Sequence, residues 1–238
     1  MSSLMSRVAL VTGASRGIGA AVAVALAEAG ADVAVNYRDR QAEAEVVAGR
    51  IRALGRRAVA LKADVSDSIA VKALVESTVT ALGPVDILVN NAGIGLRRGL
   101  DDLTEADFDL TIAVNLKSAF LCTQAVLPAM RERQWGRIVN VSSGAARGAG
   151  AIGLHYNASK AGMEGLTRGY AARVVKEGIT VNAVAPSLIA TDMMPSGTNA
   201  VFGRAGTVDE VAQAVLAVIG NAYMTGQTVA VNGGLHFN

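Results

Sequence analysis

One cysteine and two histidines in 238 residues leave the chain without material for an internal disulfide or a His/Cys metal-ligand cluster. Cys122 is therefore read as a core residue. Aromatic residues make up only 4% of the chain and charged ones 18%. The formal net charge of +2 comes from scattered basic residues, so no nucleic-acid footprint stands out. Long hydrophobic runs are missing as well. The longest helical one, Ala20 to Ala27, falls far short of the roughly 20 residues a membrane span needs. The apolar run Val8 to Val11 is too short for a signal peptide. Neither a membrane nor a nucleic-acid partner is expected, and the cytoplasm is the default location.

What the chain does have is apolar content, 51% of its residues. That fits a parallel sheet covered on both faces, whose strands read as continuous hydrophobic runs. Strand runs are predicted at Val8 to Thr12, Asp32 to Asn36, Ala58 to Lys62, Val85 to Val89, Gly136 to Ser143, Ile179 to Ala185 and Gln227 to Val231. Helical patterns fill the gaps, over 40–55, 67–82, 104–133, 154–177 and 207–219, with the first helix lasting to about Ala29. Ser66 or Asp67 caps the helix that starts near 67. This alternation, without repeats or linkers, predicts an α/β fold consisting of one doubly wound domain over residues 1–238.

Polar punctuation falls at one end of these strands. Thr12-Gly13-Ala14-Ser15-Arg16-Gly17-Ile18-Gly19 joins the first strand to its helix. Its glycines permit a tight turn and a close approach to a pyrophosphate lodged at the helix N-terminus. Taken alone, the same turn also serves close helix packing. After the second strand the first charged residue is Arg38, and an arginine there suits a ribose 2'-phosphate, whereas an acidic residue takes the free 2'-hydroxyl. Arg16 and Arg38 thus predict NADP(H), with Asp39 as the competing side chain one residue on. Asp64-Val65 closes the third strand toward an adenine. Asn90-Asn91-Ala92-Gly93 closes the fourth, either as plain turn chemistry or as a ligand edge. Asn115 interrupts an apolar helical stretch and needs partners, as a structural amide or as part of a site.

Tyr156 and Lys160 lie four residues apart on a helix and so share a face. A cation held beside a tyrosine favours its phenolate. Alone the pair is a weak signal. His155, about 100° round the helix from Tyr156, is predicted at the surface or an interface. Arg97-Arg98 is either a solvated charge pair or a contact for an anionic phosphopantetheine or CoA.

Thr12-Gly-x3-Gly-x-Gly19, Asn90-Asn-Ala-Gly93, Asn115, Ser143 and Tyr156-x3-Lys160, in that order and spacing, resemble the short-chain dehydrogenase/reductase family across essentially the whole chain. Ser142-Ser143, Gly178-Ile-Thr-Val-Asn182 and Val231-Asn-Gly-Gly234 are most similar to the 3-oxoacyl-[acyl-carrier-protein] reductases. The resemblance implies a Rossmann-type sheet of seven parallel strands in the order 3-2-1-4-5-6-7. It also implies a cytoplasmic NADPH-dependent enzyme that reduces a carbonyl to an alcohol, as a homotetramer built on the helices over 104–133 and 154–177. Its substrate would be a 3-oxoacyl thioester on CoA or on an acyl-carrier protein. The alternatives are a dehydrogenase of small alcohols, sugars or cyclic ketones, and an NADP(H)-binding protein without turnover.

Residue by residue, the resemblance makes Tyr156 the general acid, with Lys160 binding the nicotinamide ribose and depressing the Tyr156 pKa. Ser143 hydrogen-bonds the substrate carbonyl, and Asn115 holds a water in a proton relay. Gly13, Ser15, Arg16, Gly17, Ile18, Gly19 and Arg38 take the phosphates. Asp64, Val65, Asn91, Ala92 and Gly93 line the adenosine side, and Pro186, Ile189 and Thr191 the nicotinamide. Three features depart from the family pattern. Ser187 stands where a glycine follows Pro186. The substrate loop over 187–204 is shortened. Gln134 and Glu177 occupy positions where carrier-protein reductases present arginines.

Overall fold

The computed structural model describes residues 4–194 and 201–236. Strands Val8–Val11 (β1), Asp32–Tyr37 (β2), Ala58–Lys62 (β3), Ile87–Asn90 (β4), Gly136–Val141 (β5), Ile179–Pro186 (β6) and Thr228–Val231 (β7) alternate with seven α-helices. The helices are Gly17–Glu28 (α1), Gln41–Ala53 (α2), Ser68–Leu82 (α3), Glu105–Ile112 (α4), Ser118–Glu132 (α5), Leu154–Val174 (α6) and Val208–Gly220 (α7). All strand pairs are parallel, in the order β3-β2-β1-β4-β5-β6-β7. β1, β2, β4, β5 and β6 are buried along their whole length, which is why apolar residues dominate them. The polar residues among them, such as Asp32, Asn36, Asn140 and Asn182, are buried against hydrogen-bond partners.

The pleat sends alternate residues to opposite faces. Ala9, Val11, Ile87, Val89 and Val139 join the layer of α1, α2 and α7. Val8, Leu10, Leu88, Ile138 and Val181 join α3, α5 and α6. Each buried Val, Leu or Ile contributes about 1.5–3 kcal/mol, so neither face can be exposed without losing the sheet. Register then lines up the carboxyl ends. Val11 lies beside Val35 and Val89, Asn90 beside Asn140, and Pro186 beside Val231. The residues that follow these strands therefore share one edge. At the opposite edge Asp32 accepts from Arg57 Nε and Arg56 Nη2, both at 2.7 Å, and from the Arg57 backbone N–H at 3.0 Å. Burial pushes its carboxyl up, but these donors outweigh burial and hold it below the usual carboxylate range.

The helix expected over 104–133 is not a single α-helix. A π turn, Ala113–Lys117, separates α4 from α5, and its extra residue places the Asn115 side chain against Ile94. The continuous stretch Glu105–Glu132 is long and apolar enough to cross a membrane by length and mean hydropathy, unlike the run singled out in the sequence. Half of its apolar window is buried inside the protein, where α5 packs on α3 and β4. The helix expected to reach Glu177 ends in a 3-10 turn, Val175–Glu177, and the strand expected to reach Ser143 stops at Val141. Asp67 caps α3 by accepting from Ile69 and Ala70. Part of the shortened substrate loop, 195–200, lies outside the described residues.

Candidate active site

A cavity of about 2280 Å³ runs along the carboxyl edge of the sheet. Every cofactor residue read from the sequence lines it except Lys160, which sits behind Tyr156.

At its outer end the chain closes on itself tightly. Gly13 has φ +61°, and a Cβ there would stand 2.8 Å from Ala92 Cα. A Cβ on Gly19 would run into the Asn91 amide and, at 2.5 Å, into Gly13 O. These glycines keep the two turns in contact, as positive φ and close approach require. The Thr12 hydroxyl accepts from the N–H groups of Asn91 and Ala92, each at 3.0 Å. Asn91 Nδ2 donates to Thr12 O at 2.9 Å and Gly13 O at 3.0 Å. Gly13 N–H donates to Asn36 Oδ1 at 3.2 Å. Thr12, which opens the glycine motif, and Asn36 were given no site role from the sequence, although their places at strand ends were the available signal.

Helix α1 starts here, with Arg16 at its N-cap and no side-chain cap. By contrast, α4 and α7 begin with complete Thr104–Asp107 and Thr207–Glu210 capping boxes. Uncapped N–H groups and the helix dipole suit an anion, and the glycine contacts leave the backbone bare for one. Arg16 and Arg38 both line this end, each side chain about half exposed. Arg16 pairs with Asp192, and Arg38 Nε donates to Asp39 at 2.7 Å. Asp39 therefore backs Arg38 instead of replacing it. Asp64, held below the ordinary carboxylate range by the Ser66 hydroxyl at 2.7 Å, sits with Val65 on the same wall. The polypeptide thus offers a bare glycine turn, an uncapped helix end and two guanidiniums, a donor set that fits a phosphorylated dinucleotide.

At the inner end Tyr156, Ser143 and Lys160 come together. The Ser143 hydroxyl is close enough to Tyr156 to favour its ionised form, and it accepts from Ala145 N–H at 3.2 Å. Lys160 Nζ donates to Val141 O at 2.8 Å and lies 5.7 Å from the centre of the Tyr156 ring. Burial pushes the Lys160 ammonium down to about 8. Burial also raises the Tyr156 hydroxyl above its ordinary range, with the Ser143 hydroxyl pulling the other way. Among the protein's own groups, desolvation of the ring hydroxyl is the largest influence on Tyr156, and Ser143 is the one that lowers it.

Asn115 is fully buried. Its Oδ1 accepts from Ile94 N–H at 2.8 Å, and its Nδ2 reaches Ile94 O at 3.0 Å and Ser159 Oγ at 3.2 Å. Gly93 packs between Asn115 and Lys160, where a Cβ would lie 3.3 Å from Asn115 Oδ1 and 3.8 Å from Lys160 Nζ. His155 is not at the surface. It is fully buried, with Nε2 2.9 Å from Leu96 O, so it ties the loop after β4 to α6. Helical spacing gave its direction correctly, but the loop that covers it is irregular and left no periodic signal. Arg98 is bound by Asp107 at 2.9 Å, whereas Arg97 reaches Met193 O at 3.2 Å. Glu177 accepts from Arg131 at 2.6 Å, and Arg133 is engaged by Val85 O at 2.8 Å.

The short chain dehydrogenase family pattern matches residues 7–200. The chain belongs to the short chain dehydrogenase family. A 3-oxoacyl-[acyl-carrier-protein] reductase of Staphylococcus aureus is 41% identical over 247 aligned positions, covering 98% of this chain and 99% of that protein. The alignment has more positions than the chain's 238 residues, so this dehydrogenase carries deletions relative to it. Among solved structures, a short chain dehydrogenase from Burkholderia cenocepacia in complex with NADP superposes with a TM-score of 0.90 at 40% identity, covering 97% of this chain and 98% of that one. A blue fluorescent protein from a metagenomic library in complex with NADPH superposes at 0.93 and 39% identity, over 99% and 100%.

Proposed function

We propose that this dehydrogenase is one NADP(H)-binding domain that reduces the ketone of a 3-oxoacyl thioester, carried on CoA or an acyl-carrier protein, to the 3-hydroxyacyl form. The observation that carries this reading is the cavity itself, with Ser143 and Tyr156 at its inner end and Arg16 and Arg38 at its outer end. The two nucleotide-bound neighbours and the reductase of S. aureus support it. When bound, NADPH supplies the hydride to the carbonyl carbon. Tyr156 gives its hydroxyl proton to the carbonyl oxygen, and Ser143 hydrogen-bonds that oxygen. A general acid must hold its proton at neutral pH, and the raised Tyr156 hydroxyl does so. Lys160 fixes a cation behind Tyr156 through Val141 O and repays part of the cost of any phenolate formed. Asn115, with both amide atoms committed, pins the Ile94 peptide beside Lys160.

Ile94, Ile152 and Met193 line the inner cavity and suit an acyl chain. Both arginines expected to meet an anionic phosphopantetheine or CoA are engaged, Arg98 by Asp107 and Arg97 by Met193 O. A carrier protein is therefore no better supported than CoA. Loss of NADPH absorbance with acetoacetyl-CoA, compared with a sugar ketone and a cyclic diketone, tests the substrate class. Exclusive turnover of a sugar or cyclic ketone would establish the second reading. Tyr156→Phe should keep the fold and lower turnover by about 10² to 10⁴, the usual contribution of a general acid. Near-wild-type turnover by a folded Tyr156→Phe protein refutes the assignment.

The protein is proposed to act in the cytoplasm as a homotetramer. Phe108, Leu110 and Phe120 on α4 and α5, and Leu154 on α6, stay between 37% and 48% exposed, and apolar residues this open suit an interface.

A further inference from the structure

Two glycines of the turn after Ser143 have a side chain from the carboxyl-terminal segments seated where their own Cβ would be. At Gly144 it is Ser187: a Cβ there would collide with the Ser187 hydroxyl and lie 3.2 Å from Ser187 Cβ. At Gly148 it is His236, whose Nε2 stands 2.9 Å from the Cβ position. His236 Cδ2 is also 3.9 Å from the Cβ position of Gly144, so the hydroxyl and the imidazole flank the same short piece of backbone. Both side chains line the cavity that holds Tyr156 and Ser143. Ser187 reaches this place without strain, because the left-handed backbone of its turn falls on Leu188, φ +53°. Another part of the lining is apolar: a Cβ on Gly95 would meet Ile152 Cδ1 at 3.1 Å and Met193 Sδ at 3.3 Å. The cavity lining therefore includes an apolar group and a polar one, and the polar one touches Gly144, the residue after Ser143.

We infer that the Ser187 hydroxyl and the His236 imidazole form a second polar subsite, which takes the C1 carbonyl oxygen of a 1,3-dicarbonyl substrate while Ser143 and Tyr156 take the C3 oxygen. One methylene separates the two carbonyls of such a substrate, so its second oxygen falls within a few ångströms of the first. That matches the adjacency of Ser143 and the Gly144–Ser187 contact. A simple ketone leaves the subsite unused. The inference rests on the carbonyl-reductase reading and names the residues that hold the second carbonyl of the substrate proposed above.

The test compares kcat/KM for three probes with NADPH: acetoacetyl-CoA, ethyl acetoacetate and a monofunctional methyl ketone. Loss of one substrate hydrogen bond is worth about tenfold, so Ser187→Ala should lower the ratio of either dicarbonyl to the monoketone about tenfold, and His236→Ala should lower it in the same sense. A ratio unchanged in both variants overturns the subsite. A Gly144→Ala variant should lose activity toward all three probes, and Gly144→Ala/Ser187→Gly should regain turnover of the monoketone while keeping the lowered dicarbonyl-to-monoketone ratio of Ser187→Ala, because removing the hydroxyl makes room for the methyl and also empties the subsite. Full activity in Gly144→Ala, or no recovery in the double variant, also overturns the placement. The two readings fail separately. Wild-type turnover of ethyl acetoacetate without acetoacetyl-CoA rejects the thioester but leaves the subsite to be judged on the ester. Wild-type turnover of the monoketone alone rejects the subsite and leaves a carbonyl reductase.

Discussion

Lys160 should make the protein less stable at neutral pH than it would be without it, and the size of that penalty should depend on pH. In the unfolded chain a lysine releases its proton near its ordinary value of 10.5, whereas buried Lys160 does so at about 8. At roughly 1.4 kcal/mol per pH unit, holding its charge in the folded protein costs on the order of 3 kcal/mol. Between those two values the unfolded state binds more protons than the folded state, so this group's contribution to stability rises with pH. The penalty is complete below about 8 and gone above 10.5. Lys160→Met removes it but leaves Val141 O without its 2.8 Å donor, an unsatisfied acceptor that costs about 1–2 kcal/mol. At pH 7 the nucleotide-free variant should therefore be more stable by about 1–2 kcal/mol, a rise in Tm of roughly 5 °C for a chain of this size. As pH approaches 10 the difference should shrink and reverse, leaving only the lost hydrogen bond. Urea melts of both proteins across that range, with equal m-values, measure it. A stability difference that does not change with pH refutes the buried-cation argument, and so does a variant less stable at pH 7. The expected loss of turnover in the same variant would show a catalytic group kept at the expense of stability.

Two further outcomes follow from the cavity and the surface. NADPH should be preferred over NADH, and Arg38→Ala should narrow that preference about tenfold; the modest figure reflects a side chain that is half exposed and screened. An enzyme that prefers NADH overturns the assignment of Arg16 and Arg38 to the 2'-phosphate. In sizing chromatography the protein should run as a tetramer, and Phe120→Glu on α5 should shift it toward smaller species, whereas a wild-type monomer contradicts the proposed interface.

The parts of this molecule that could be read from its sequence are those fixed by periodicity and by strand ends. β1, β4 and β6 are buried on both faces, so apolar residues dominate them, with Asn90 and Asn182 buried against polar partners, and parallel register then carried Thr12, Asn91, Ser143 and Ser187 to one edge. The glycine turn was legible for a similar reason, since Gly13 and Gly19 sit where any Cβ meets backbone. Contacts between irregular segments were not legible. Nothing in the order of residues shows that His155 is roofed by the loop carrying Leu96, or that Arg98 is spent on Asp107. Nor does it show that the helix containing Asn115 widens by one residue there. Titration belongs to the same class. Helical spacing correctly put Lys160 near Tyr156, but whether a neighbouring cation lowers a hydroxyl depends on how much water both have lost, which is a property of the packed protein. Ser187 shows the limit most plainly. In sequence it is a departure at a position where relatives have glycine. In the fold it meets Gly144, 43 residues earlier, whose missing side chain leaves the room its hydroxyl occupies. Both residues were visible in the sequence, but only the fold brings them into contact on the wall of the cavity.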